Sequence, residues 1–387
     1  MIDLTKEQSF FLFGPRNSGK STLLKTHFKE LQTKGDILWI DLLDAQIQYQ
    51  LSQRPSLLMD MWDAKKPPWI VIDEIQKNPK LLDIVHKMME ETSAKFALSG
   101  SSARKLKRGH ANLLGGRALP FYLFPFSFME LEKKFNLDRA LKFGLLPRFW
   151  ASPMSDKDTV RGLYAYVDTY LKEEIASEQI VRKLDPFQRF LSVSAQSNGN
   201  IINFSKIERD AGLGASQAQK HFQILSDTLL GAFLPPYHSS IRKRQERKSK
   251  FYFFDTGVLR ALQMMAQESL HPSTFEYGNL FETFIINEVL KMTAYLEKKW
   301  KLSYLKTQAG VEIDLIVEKP RTAPILIEIK SSLDIKEEHL KTLKRLASDF
   351  PKSTRYVWYR GPESYRIDQI QCLPWHQGIK ELFEINS

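Results

Sequence analysis

The sequence predicts an α/β protein of several domains, and three observations carry that reading. Short apolar runs (Phe10 to Phe13, Ile37 to Leu42, Trp69 to Ile72, Phe96 to Ser99, Leu119 to Phe124) alternate with helical patterns through the first third of the chain. Runs that are apolar throughout, without period-two alternation, belong to strands buried on both faces, so the first sheet is expected to be parallel. The first run leads into a glycine-rich loop, and a second strand-helix alternation begins near residue 256.

The chain has 387 residues, enough for two to four domains, since single cores stop growing at roughly 250 to 300 residues. Hydrophobic residues make up 43% and charged residues 26%, the balance of a globular protein. A net charge of +11 suits a polyanionic partner, nucleic acid first, although a basic protein without such a partner has the same total. A single cysteine, Cys372, excludes an intrachain disulfide and a cysteine-built zinc site, and the eight histidines show no H-E-x-x-H spacing. Met1 to Glu7 lacks a signal-peptide pattern, and no apolar run reaches about 18 residues. The reducing cytoplasm is the expected compartment, with no membrane contact.

Gly14-Pro15-Arg16-Asn17-Ser18-Gly19-Lys20-Ser21-Thr22 sits between an apolar strand and the helix opener Leu23-Leu24-Lys25. This is G-x-x-x-x-G-K-[ST] in its strand-loop-helix setting, and all nine residues are expected to cradle ATP. Its glycines let backbone N–H groups turn onto phosphate at a helix N-terminus. Lys20 is expected on the β- and γ-phosphates and the Ser21 hydroxyl on Mg²⁺. Trp69-Ile70-Val71-Ile72-Asp73-Glu74 supplies the second half, an apolar strand ending in acid. Asp73 is expected to hold Mg²⁺ through water, and Glu74 to act as general base on the attacking water.

Residues 197–255 read as helix, glycine turn, helix and hairpin, the spacing of a winged helix-turn-helix. Gln217, Gln219, Lys220 and Gln223 are the exposed candidates on the second helix. The stretch Ile241 to Lys250 holds six basic residues against one acid and reads as an exposed wing tip, suited to phosphate contacts.

Further on, the helix Leu280 to Met292 carries Glu282 near its start, strand Val311 to Val317 carries Asp314 in an apolar stretch, and strand Ile325 to Lys330 carries Glu328 and Lys330. Residues two apart on a strand share a face. A mid-strand carboxylate is costly without a partner or metal. The arrangement resembles the PD-(D/E)XK nuclease pattern, in which Glu282, Asp314 and Glu328 bind Mg²⁺ while Lys330 orients or deprotonates water.

With Val71 to Ile75, Leu98 to Ser102, Gly116-Arg117, Tyr252 to Gly257, Gly278 to Glu282, Glu312 to Val317 and Glu328 to Ser332 added to the P-loop, the chain resembles end to end a prokaryotic AAA+ family. The resemblance implies an AAA+ P-loop core over residues 1–125, a helical lid over 126–196, the winged helix-turn-helix over 197–255 and a smaller α/β restriction-endonuclease-like domain over 256–387. It also implies a homo-oligomer, expected as a hexameric ring, and branched DNA such as a Holliday junction as substrate. By the same likeness Ser101 is the preferred sensor 1 residue that positions the hydrolytic water, with Ser102 and Ser99 as alternatives. Arg117 is the arginine finger offered to a neighbour's ATP, with Arg104 and Arg108 as weaker choices. Sensor 2 has no clear match, and Arg148 is the nearest candidate. Two functions follow: an ATP-driven enzyme that translocates on or remodels duplex or branched DNA, with metal-dependent nuclease activity, or an ATP-switched regulatory module, with protein as partner, whose nuclease-like domain is inert.

Overall fold

All four residues of Phe10–Phe13 are buried, because the two faces of this strand meet two separate apolar layers. Phe11 and Phe13 pack with Ile40, Ile70, Ile72 and Leu98 against Leu51, Leu58 and Val85 from the helical segments. Phe10 and Leu12 pack with Val71 and Ala97 against Leu24 and Phe28 on the opposite side. The continuous apolar runs are therefore explained by helices on both faces of the sheet.

The computed structural model describes residues 4, 7–63, 67–101, 113–151, 154–171, 184–214, 216–238, 248–307 and 310–385. The chain divides into two compact units: Met1–Phe126 with Leu146–Arg148 and Asp227–Leu230, and Ser127–Leu145 with Phe149–Ser226 and Gly231–Ser387.

The first unit is built on five strands, β1 (Phe10–Phe13), β2 (Ile37–Asp41), β3 (Trp69–Asp73), β4 (Lys95–Gly100) and β5 (Leu119–Tyr122), in the order β2-β3-β4-β1-β5. Every pairing is parallel, as the sequence pattern predicts. The carboxyl ends of β1, β3 and β4 lie side by side, the edge where open α/β sheets place their ligands.

In the second unit the helix Phe204–Ala211 is capped by Asn203, whose side chain accepts from Lys206 N, and is closed by Gly212 at φ 65°. The helix Gln217–Asp227 and the antiparallel pair β6 (Gly231–Leu234) and β7 (Lys250–Phe253) follow. Ala218, His221, Phe222, Ile224 and Leu225 face inward, leaving Gln217, Gln219, Lys220 and Gln223 exposed as expected.

A six-stranded mixed sheet completes this unit, from β8 (Lys301–Lys306), β9 (Glu312–Glu318), β10 (Ile325–Lys330), β11 (Thr354–Tyr359), β12 (Tyr365–Ile367) and β13 (Ile370–Pro374), ordered β12-β13-β11-β10-β9-β8. One face packs Ile313, Ile316, Leu326 and Val357 on Leu340 and Leu343 of the helix Glu337–Arg345. The helix Phe275–Tyr295 also packs on β10 and is longer than the apolar pattern indicates. Its start is set by Thr274, whose side chain accepts from Tyr277 N, so a polar cap extends the helix before its apolar stretch.

Candidate functional site

At the end of β1 the chain turns where a side chain would not fit: a Cβ on Gly14 would lie 2.2 Å from the Leu123 carbonyl oxygen. Asn17 and Gly19 both adopt positive φ, 61° and 95°, which curls the loop onto the helix Lys20–His27. Among the described residues no side chain caps that helix, so its first N–H groups are left to the loop. Buried Lys20 donates from Nζ to the carbonyl oxygens of Gly14 at 2.9 Å and Pro15 at 3.1 Å. The Ser18 hydroxyl is buried within the loop and has no hydrogen-bond partner among the described residues. A backbone cradle, a buried ammonium and an unused hydroxyl fit the phosphates of ATP, and Ser21 and Asp73 are the residues that would hold its Mg²⁺.

Asp73 ends β3 inside the protein, and the Ser99 hydroxyl donates to its carboxylate. Glu74, the next residue, takes φ 61° and ψ 45°, a left-handed conformation that costs a non-glycine residue about 1 kcal/mol. Its backbone N–H donates to Ser99 Oγ at 3.1 Å. Gln76, which carries no signal in the sequence, donates from Nε2 to the Glu74 carboxylate and to Ser101 Oγ at 3.2 Å. Ser99 therefore serves Asp73 directly, while Ser101 reaches Glu74 through Gln76. Ser102, Arg104 and Arg108 lie outside the described residues.

Arg117 lies before β5, whose first residue, Leu119, is level with Phe10 at the start of β1. The P-loop follows the other end of β1, so Arg117 stands at the sheet edge away from the ATP cradle of its own chain. It is exposed and pairs at 2.7 Å with Glu90 on the helix Leu81–Glu91. Arg148 is also exposed and belongs to the P-loop unit, where neighbouring Pro147 comes within 3.8 Å of a Cβ built on Gly19.

A second cluster forms in the other unit. Backbone pairing of β9 with β10 stops at Leu315 and Ile327, and Asp314 Oδ2 instead accepts from Ile329 N at 2.8 Å. That break turns the Asp314 carboxylate toward Glu328. Lys330 bridges the two, 2.6 Å from Glu328 Oε2 and 3.7 Å from Asp314 Oδ2. Burial, followed by repulsion from Asp314, raises the Glu328 carboxyl to about 8 despite Lys330. Glu328 Oε1 is buried without a hydrogen-bond partner among the described residues.

Glu282 projects from the helix Phe275–Tyr295 toward the same cluster, but its Oε1 is already engaged. Tyr252 donates to it at 2.6 Å and Lys250 Nζ stands 3.3 Å away. Burial and the Glu282 charge push the Tyr252 phenol up, so it remains a donor. Lys250 also binds Glu312 at 2.6 Å. Lys250 therefore does not belong to an exposed wing tip: β7 carries it inward, where burial opposes its charge but Glu282, Asp314 and Glu312 together hold its pKa above the usual lysine value. Arg242, Lys243, Arg244 and Arg247 lie outside the described residues, and Lys248 is exposed. Among the described residues no three carboxylate, histidine or cysteine side chains form a group able to hold a metal ion. In this arrangement the Glu282 carboxylate is engaged by Lys250 and Tyr252. The unpartnered Glu328 Oε1 beside Asp314 still fits a cation held by those two residues.

The fold and loop of the first unit define a nucleotide-binding domain of the AAA type. Residues 6–132 match the family described as AAA domain, so the chain carries an AAA-type ATPase domain at its N-terminus. Residues 134–269 match a domain of unknown function (DUF8612) and residues 277–377 another (DUF4143). Among curated proteins the chain is similar to an uncharacterized protein of Mycobacterium tuberculosis, 25% identical over 251 residues, a match spanning 64% of this chain and 56% of that protein. It is also similar to uncharacterized proteins of Haemophilus influenzae, 23% identical with 94% of this chain and 92% of the relative covered, and of Methanocaldococcus jannaschii, 20% identical with 90% and 80% covered. Among the described residues no helix is long and apolar enough to cross a membrane.

Proposed function

We propose that the chain hydrolyses ATP to translocate on or remodel DNA, duplex or branched, and that its C-terminal part is a restriction-endonuclease-like domain cutting DNA with Mg²⁺ or Mn²⁺. The observation that carries this reading is that Asp314, Glu328 and Lys330 meet in a half-buried cluster within a chain that also holds a complete P-loop with Asp73 and Glu74. Burying two carboxylates is expensive, and a chain without a use for them gains more from apolar residues of the same size.

In the ATP site, Lys20 and the loop amides bind phosphate, Glu74 takes the proton of the attacking water, and Gln76 and Ser101 hold the Glu74 carboxylate in place. In the second site, a cation held by Asp314 and Glu328 would supply Lewis-acid stabilisation of the phosphate charge. Lys330 would then orient the attacking water from the same strand face. The helix-turn-helix segment and its hairpin are read as a winged helix that grips DNA through the exposed face of the helix Gln217–Asp227 and the basic residues 242–248. A homo-oligomeric ring is proposed because Arg117 stands away from its own nucleotide and is suited to a neighbour's.

Replacing Arg242, Lys243, Arg244, Arg247 and Lys248 with neutral residues is expected to weaken DNA binding similarly for all sequences. The slope of log affinity against log salt should fall by about one for each phosphate that these side chains neutralise. DNA should also cease to stimulate ATP turnover. An unchanged slope in fluorescence anisotropy titrations would place the DNA elsewhere.

Arg117→Ala is expected to keep ATP binding and lose turnover on the order of 10³-fold or more. Adding the Lys20→Ala protein, whose Arg117 is intact, should restore part of that turnover in mixed oligomers. Phosphate release measured on such mixtures checks the point, and absence of rescue with oligomers present would argue against action across an interface.

One observation favours the alternative of a regulatory module with an inert nuclease-like domain: among the described residues lysines, rather than a three-carboxylate metal group, neutralise the acidic cluster. ATPase stimulated by a protein but not by DNA would decide for it.

A further inference from the structure

We infer that the carboxylate cluster takes a single divalent cation, between Asp314 and Glu328, and that Lys250 is a built-in positive charge that excludes a second one. The inference rests on the metal-dependent nuclease reading and deepens it.

Three acidic side chains approach this place, Glu282, Asp314 and Glu328, and two lysines answer them. The two lysines are not equivalent. Lys330 is 28% exposed and ends beside solvent, where an arriving cation can displace it from Glu328 and Asp314. Lys250 is 4% exposed and is held by Glu282 at 3.3 Å, by Glu312 at 2.6 Å and by the face of the Tyr304 ring, 5.4 Å from its centroid. Its backbone is fixed as well, since β7 pairs it with Leu234. Tyr252, two residues along the same strand, donates to the same Glu282 oxygen that Lys250 faces.

A buried ammonium anchored on three sides cannot move aside without leaving Glu282 as an uncompensated charge, although Lys306 at 2.8 Å would still neutralise Glu312. A cation seeking Glu282 as ligand would therefore meet a fixed like charge. Asp314 also feels the charge of Lys250, but the ammonium in contact with Asp314 and Glu328 is that of the more exposed Lys330, and Glu328 Oε1 is buried with no partner among the described residues. A cation there leaves Lys250 in place as a second centre of positive charge beside the phosphate to be cut, a position a second metal ion would otherwise serve.

The test is a count of bound Mn²⁺ by electron paramagnetic resonance on the nucleotide-free full-length chain, taking the ions lost in Asp314→Asn as those of this cluster. The wild type is expected to hold one such ion, and Lys250→Met two, because Glu282 is released beside Asp314 while Glu312 stays paired with Lys306. Lys250→Arg, which keeps the charge, should return the count to one. Glu282→Gln should hold one ion with unchanged affinity, and this arm stands even if Lys250→Met fails to fold. Two ions in the wild type, a count of one in a folded Lys250→Met protein, or loss of an ion in Glu282→Gln would each overturn the inference while leaving the metal-dependent reading intact. No ion lost on Asp314→Asn would overturn both.

Discussion

Glu74→Gln is expected to bind ATP as tightly as the unaltered chain and to turn it over on the order of 10²- to 10⁴-fold more slowly. The substituted amide keeps the size of the carboxylate and its place after β3 but cannot accept a proton from water. Two features of the structure support this proposed role. Its backbone adopts φ 61°, a conformation that no neighbouring glycine imposes, and its carboxylate is held by Gln76, which in turn touches Ser101. Strain located on one acidic residue at the ligand edge of a parallel sheet is what a positioned base requires. Lys20→Ala provides the contrasting result, loss of nucleotide binding itself, since its ammonium lies within the phosphate loop, bonded to the Gly14 and Pro15 carbonyls. Fluorescent-nucleotide binding and phosphate release, measured on both variants, separate the two effects. Normal turnover in Glu74→Gln would remove it from the reaction.

Asp314→Ala, Glu328→Ala and Lys330→Ala are each expected to lower Mg²⁺- or Mn²⁺-dependent DNA cleavage on the order of 10³-fold, the several kcal/mol that metal catalysis contributes, while ATP hydrolysis continues. Asp314 and Glu328 are the two carboxylates proposed to share a cation, and Lys330 approaches both. Folding should survive Glu328→Ala, because Lys330 still has Asp314 within 3.7 Å. Linear, flapped and four-way DNA, incubated with either metal, would show the cleavage on gels. If the unaltered protein leaves all of them intact, the cluster is a phosphate-gripping relic, and the same substitutions should then change DNA binding. If they change neither, the last domain does not touch DNA and a protein partner becomes the working hypothesis.

The parts legible in the sequence are those whose chemistry is local. A strand, a glycine loop and a helix follow one another without interruption from Phe10 to His27, so the phosphate cradle is specified by neighbours in the chain. Asp73 and Glu74 end an apolar strand for the same reason, and Glu328 and Lys330 share a face because a strand repeats every two residues. The buried and exposed sides of the helix Gln217–Asp227 are likewise readable from its apolar spacing.

What only the tertiary structure decided is which charges meet. Lys250 reads as the last of a run of basic loop residues, yet it is separated from Glu282 by 32 residues and lies against it in the interior. Its destination is set by the pairing of β7 with β6 and by the helix Phe275–Tyr295 packing beside it, neither of which leaves a periodic trace at position 250. Gln76 is similar: nothing in its sequence neighbourhood distinguishes it from a surface glutamine, and its bond to Ser101 crosses 25 residues through the β3 and β4 pairing. Periodicity reports the face a residue turns toward the core. Only packing across distant strands sets the partner that neutralises a buried charge, since a desolvated ammonium or carboxylate is stable only where the fold brings its counter-charge to within a few ångströms.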